Sequence, residues 1–277
     1  MFFAVVVLGG VSLAWARPEP KLLTAQPDAA EGAAVLASFR NVGIAGNYWV
    51  KFELRVMPRK GDERLLTGEM LGSAEGPRTR LFVDDLANTG GGHRLIYLLR
   101  GGAEPEAAVW NAREQGEVAR VLSTERQLAP VQGTDLTVFD LQMPFLRWTD
   151  FVYEGVANIR GRPAHAFLMY PPAGFPTTGP AAVRVFLDTQ FAAMTQAEWV
   201  DAAGKPMKTV TVLDLKKVGE QWLVKSIDLR NHQTRAKTRL TLTAAALGLA
   251  AWPESVFARD EVAAPVPAVP TAQIERF

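Results

Sequence analysis

Two carboxylates, Asp140 and Asp150, flank the segment Pro144-Phe145-Leu146-Arg147-Trp148. A carboxylate pair could divide acid and base work across a scissile bond. Helix capping explains each residue more simply. The three histidines, His93, His165 and His232, are scattered and lack the short spacings of metal ligands. Asp84-Asp85 falls at a strand end and reads as a solvated turn. Gly90-Gly91-Gly92 has no helix pattern after it, so it reads as a hairpin loop and not a phosphate cradle. The sequence contains no G-x-x-x-x-G-K-[ST], no H-E-x-x-H and no G-x-S-x-G. It contains no cysteine, which excludes disulfides, thiolate metal sites, a cysteine nucleophile and a lipid carried on cysteine. A protein that is not an enzyme, with no metal and no cofactor, is therefore expected.

The aromatic residues are more suggestive. Trp110, Phe145, Trp148, Trp199 and Trp222 fall on or near predicted strands and one central stretch. They could be ordinary core, or they could line a cavity for a long apolar ligand. The central stretch is Gly133-Thr134-Asp135-Leu136-Thr137-Val138-Phe139-Asp140-Leu141, running on to Trp148. Asp135 and Thr137 can cap a helix, and Leu136, Phe139, Leu141 and Phe145 recur at roughly helical spacing. Pro144 would break or redirect it. The pattern predicts a short amphipathic helix lying across a sheet as its cover.

Around that stretch the sequence alternates apolar and polar. Residues 48–57 are the clearest case: Tyr48, Val50, Phe52, Leu54 and Val56 share one face, and Lys51, Glu53 and Arg55 the other. Similar segments joined by short turns predict about 10–11 antiparallel strands with two or three helical pieces. A single large curved sheet with one apolar face is expected, rather than a doubly covered one. Residues 28–39 form a helix pattern with Asp28 as cap, and residues 254–257 a helical turn. Residues 262–277 are rich in Pro and Ala and read as a mobile tail.

A chain of 277 residues, 48% of them hydrophobic, can bury a sizeable core. Its formal net charge of +1 offers no basic excess for a nucleic acid, so no such partner is expected. Residues 1–16 are almost wholly apolar and end in Ala14-Trp15-Ala16, a small-x-small cleavage pattern. They read as a signal peptide cut before Arg17. The alternative is an uncleaved segment tethering the protein to the inner membrane.

Residues 132–141 resemble a signature of the outer-membrane lipoprotein-sorting protein family, the LolA-like group. The second half is similar too: residues 183–188, then Trp199-Val200-Asp201, Gly204 and Lys208, then Trp222, Asn231 and residues 234–238. The resemblance implies a mainly β fold, an incomplete antiparallel barrel with helices plugging its mouth. It implies a periplasmic carrier of lipid or lipoprotein acyl chains, served by an inner-membrane transporter and an outer-membrane receptor. The cavity and lid residues are then expected to be Phe52, Leu54, Trp110, Leu136, Phe139, Leu141, Phe145 and Trp148. The organisation that follows is a signal peptide (1–16), a linker and N-terminal helix (17–47), a half-barrel (48–261) and a mobile tail (262–277). Two other readings of the same fold are an envelope sensor or interaction module, and a structural envelope protein with a filled core.

Overall fold

The computed structural model describes residues 22, 27–40, 43–85, 93–102, 105–112, 114, 118–191 and 193–277. The proposed signal peptide and the Gly90–Gly92 loop lie outside the described residues. The first half of the chain supplies β1 (Asn47–Met57), β2 (Arg64–Gly72), β3 (Arg78–Asp85), β4 (His93–Arg100), β5 (Glu106–Asn111) and β6 (Arg120–Val121). The second supplies β7 (Phe151–Ile159), β8 (Arg162–Met169), β9 (Ala182–Asp188), β10 (Met194–Val200), β11 (Pro206–Val218), β12 (Gln221–Asn231) and β13 (Lys237–Leu249). Each half is an antiparallel meander. The two join where β1 pairs with β13, giving one open sheet in the order β6-β5-β4-β3-β2-β1-β13-β12-β11-β10-β9-β8-β7. A further strand, β14 (Glu275–Arg276), pairs with β13. The sheet thus has 14 strands, more than the 10–11 expected. The two-residue β6 and β14 are too short to carry a period-two signal.

Period two sets the faces. Val50, Phe52, Leu54 and Val56 are buried, while Lys51 and Arg55 are exposed. The inner face gathers these with Leu66, Leu81, Val83, Phe167, Val185, Trp199 and Leu229 in one cluster. The ring of Phe52 lies across Gly68, where an added Cβ would come within 2.3 Å of it, so glycine there makes room for the aromatic.

The outer face departs from expectation. Trp49, Leu71, Phe82, Ile96, Leu98 and Ala246 form a second apolar cluster. The chain after β13 crosses back over it, burying Val256 and Val262 and packing Trp252, Phe257, Val266, Val269 and Ile274. Around β1–β4 the sheet is therefore covered on both faces. The expected mobile tail is instead the end of this strap. The expected helical turn over 254–257 forms as a 3-10 turn, Glu254–Phe257, within it. Arg80 of β3 fixes the strap. Its guanidinium, 2% exposed, donates to the carbonyl oxygens of Val256 (3.1 Å), Val262 (2.5 Å) and Ala264 (3.2 Å). Burial, with Arg94 nearby, lowers the Arg80 pKa to about 10, so the group is still charged at neutral pH.

Helix α1 (Ala29–Arg40) begins where the Asp28 carboxylate accepts from the amide of Ala30 at 2.8 Å, the expected cap. It lies against β7 with Leu36 buried and Gly32 against the Tyr153 ring.

Two carboxylates tie the sheet to pH. Burial alone would raise Asp188, but the Gln190 amide, the Arg162 guanidinium and the Phe191 amide together hold it below the usual carboxylate range. Burial likewise opposes Asp228, whose pKa Arg239 and Lys237 nevertheless lower. A carboxyl with a lowered folded pKa contributes stability above its unfolded pKa, about 3.9 for Asp, and loses it as pH falls through the folded value. Melting temperature should hold between pH 7 and about pH 5 and fall below about pH 4. The Asp188→Asn/Asp228→Asn double variant should show a shallower acid limb. An equal slope in thermal melts would show that other groups drive the acid transition.

Candidate functional site

The segment between β6 and β7 plugs the concave side of the sheet. It holds helix α2 (Thr124–Gln127), a 3-10 turn (Val131–Gly133), helix α3 (Val138–Gln142) and a second 3-10 turn (Pro144–Arg147). The expected helix is interrupted at Pro144, as that residue predicts, and forms two short pieces. Met143 takes left-handed backbone at φ 45°, and Pro144 starts the second piece. Thr137, rather than Asp135, caps α3. Its hydroxyl accepts from the Asp140 amide, and the Asp140 carboxylate accepts from the Thr137 amide.

These short pieces aim aromatic rings into the sheet. Phe139 lies 5.8 Å from Phe145, 6.1 Å from Trp148 and 6.4 Å from Trp199 of β10, ring centre to ring centre. Phe145 lies 5.5 Å from Trp199 and is fully buried. Phe175, from the proline-rich loop after β8, closes the set at 5.7 Å from Phe139 and 5.5 Å from Trp148. Nothing in that loop's composition marks Phe175 as part of the plug.

Polar contacts at the rim hold the plug down. Lys208 of β11 donates to Asp140 Oδ2 at 2.6 Å and lies 5.5 Å from the centre of the Trp199 ring. The Asp135 amide donates to Thr238 Oγ1 at 2.9 Å, and that hydroxyl donates to the Asp135 carboxylate at 3.2 Å. Arg64 donates to the carbonyl of Gln132. From α1, Arg40 donates to the carbonyls of Leu146 and Trp148, both at 2.6 Å. The resemblance motifs therefore meet in space: Asp135, Phe139 and Asp140 of the plug face Thr238, Trp199 and Lys208 of the sheet. Asp140 and Lys208 are far apart in sequence, and only the fold pairs them.

A cleft of about 200 Å³ opens at this rim, lined by Leu128, Thr137, Phe139, Trp199, Lys208 and Asn231 among others. A second cleft of about 200 Å³ lies between α1 and β9, with Phe39, His165, Asp188 and Phe191 in its wall. Ligand pockets usually span about 300–1,000 Å³, so a long chain could enter the mouth only if the plug moved. Among the described residues no group of three or more His, Asp or Glu is placed to hold a metal ion. No helix among them is long and apolar enough to cross a membrane.

Of the residues expected to form cavity and lid, Phe52, Leu54, Leu136, Phe139, Phe145 and Trp148 are buried together in the inner cluster, with Leu141 partly buried against it. Trp110 is not among them. It packs in the outer cluster, because alternation along β5 turns Ala107 inward and Ala108 and Trp110 outward. Trp222 is 66% exposed, while its neighbour Leu223 is the residue that points inward.

An open antiparallel half-barrel whose mouth is filled by short helices is a LolA-like fold. A DUF1329 family protein from Desulfovibrio piger is similar at TM-score 0.70 and 13% identity, over 82% of this chain and 96% of that one. A provisionally assigned outer membrane lipoprotein-sorting protein domain from Vibrio parahaemolyticus is similar at 0.67 and 18%, over 83% and 97%. A LolA superfamily protein from Nitrosomonas europaea is similar at 0.61 and 12%, over 82% and 97%. At these identities the likeness is one of fold. No curated protein matches the sequence. A family model described as "-like: Uncharacterized protein" matches residues 113–262, and the chain belongs to that family. The matched region takes in the plug and the whole second meander.

Proposed function

We propose that this protein is a non-enzymatic periplasmic binder and carrier of acyl chains, of lipoproteins or other lipids, with the plug as a displaceable lid. The observation that carries this reading is the construction of the plug. Its interior is a set of aromatic side chains on pieces of three to five residues, too short to be stable helices on their own. Beyond the packing of those side chains on the sheet, its attachment is a set of rim hydrogen bonds. An acyl chain offers the sheet the same apolar contact, at about 0.8 kcal/mol for each buried methylene, and needs no polar partner. The name of one structural neighbour, a lipoprotein-sorting protein domain, supports the same class of ligand.

In this reading residues 48–261 are the carrier body, residues 17–47 a linker and a helix whose Arg40 latches the plug, and residues 1–16 a signal peptide. A transporter would load the protein and a receptor of higher affinity would unload it. The test is mass spectrometry of protein purified from the periplasmic fraction. Retained acyl lipids, and an intact mass beginning at Arg17, are the expected result. Protein with no lipid, or with Met1 retained in the membrane fraction, would remove the carrier or the location respectively. A structural protein with a filled core is the second reading. The complete burial of Phe145 favours it.

A further inference from the structure

Strands β12 and β13 pair over only part of their length. Residues 226–230 pair with residues 237–241, and there the ladder stops. Strand β13 continues to Leu249, still paired with β1 on its other edge. The earlier part of β12 pairs with β11 alone, beyond register shifts around Asp214 that turn the β11–β12 hairpin aside. The sheet is therefore forked, and one edge of the outer half of β13 is left open to a further strand. The chain's own residues 275–277 occupy it. Arg276 pairs with Ala244, Glu275 with Ala245, and the Phe277 amide donates to the Thr243 carbonyl at 3.0 Å. Side chains alternate across the sheet: Ile274 packs with the outer cluster and Phe277 with the inner one. The diverging hairpin supplies the specificity. Lys216 pairs with Glu275 at 3.0 Å, and the ammonium groups of Lys216 and Lys225 lie 5.5 and 6.0 Å from the centre of the Phe277 ring.

We propose that this fork is a peptide-binding slot, which takes an extended partner segment carrying an acidic residue two positions before an aromatic one. Residues 275–277 hold the slot in cis until such a segment displaces them. The slot offers what strand addition uses: open backbone groups on one edge, an aromatic-accepting gap and a lysine pair matched to an acid and a ring. The resident segment is held by a two-residue ladder, the Phe277 amide bond to Thr243, one half-exposed ion pair and a partly buried ring beside two lysines, a short set of contacts that a longer strand could exceed. Beside the slot, the outer face of the hairpin is left bare by the strap, with Leu215 38%, Val224 40% and Trp222 66% exposed. A partner entering the fork would cover that patch.

The experiment is fluorescence anisotropy of a labelled peptide copying residues 272–277, titrated with the full chain. A tethered segment competes at an effective concentration on the order of 1 mM. Phe277→Ala in the protein should release it and tighten peptide binding at least tenfold over wild type. Glu275→Lys is a second way to release it, should the first variant melt poorly. Changing Phe277 to Ala in the peptide should weaken binding at least tenfold. Lys216→Glu in the released protein should weaken the parent peptide and favour a peptide with Lys in place of Glu275. If folded, released variants bind the peptide no tighter than wild type, or bind both peptides alike, the fork is only a seam and the proposal fails.

Discussion

Phe145→Ala is expected to bind a fluorescent fatty acid up to about a hundredfold more tightly than wild type while melting only a few degrees lower. Phe145 is fully buried at the centre of the plug, against Phe139, Trp148 and Trp199. Removing such a ring from a rigid core costs about 3–5 kcal/mol. For a chain of this size that would lower the melting temperature by roughly 6–20 °C. Two of its three ring partners, however, are on the plug itself. Only Trp199 belongs to the sheet. If the plug opens as a unit, the lost contacts weaken the closed state and leave the sheet intact. The open fraction rises, and apparent affinity rises in proportion. A loss of about 3 kcal/mol would correspond to a hundredfold or more in that fraction. The measurement is a probe titration beside thermal melts of both proteins. A large melting shift with no probe binding in either protein would leave only the filled-core reading.

The second large effect is expected on the opposite face. Arg80→Met should lower stability by about 3 kcal/mol and make residues 250–264 sensitive to limited proteolysis. The opposite sign can be argued, because replacing a buried charge by an apolar side chain of similar length often stabilises a protein. That argument holds when every partner of the charge is replaced with it. Here the partners are the backbone carbonyls of Val256, Val262 and Ala264, and they stay. A methionine leaves all three without donors under the strap, at about 1–3 kcal/mol for each that water cannot reach. Arg80→Lys should rescue little, since a single ammonium lacks the planar fork that spans three acceptors. Chemical denaturation of the three proteins measures this. A neutral or stabilised Arg80→Met would show that apolar packing of Trp252, Phe257 and Val262, rather than the arginine, retains the strap.

Much of the architecture was legible in the residues themselves. Alternation in 48–57 sets which side of β1 faces inward, because adjacent side chains on a strand must point to opposite faces. The same rule, repeated between short turns, leads to an antiparallel meander. The shift from period two to helical spacing at Leu136–Phe145 marks the plug, and Pro144 marks its break. Local rules of this kind need only a few neighbouring residues. What they cannot supply is contact across long stretches of chain. Nothing near Asp140 in sequence announces Lys208, and nothing near Arg80 announces the three carbonyls of the strap. Trp110 and Trp222 are aromatic residues in strands, like Trp199. Only the register and curvature of the assembled sheet decide that Trp199 faces the plug, Trp110 the outer cluster and Trp222 the solvent. The proline-rich end has no periodicity because its conformation is imposed from outside, by the face it covers and the fork it enters. The sequence by itself determined the sheet and the existence of a plug. The tertiary structure decided what the plug touches, which face is doubly covered and where the sheet stays open, because those depend on pairings between β1 and β13 and between β13 and β14 that join distant parts of the chain.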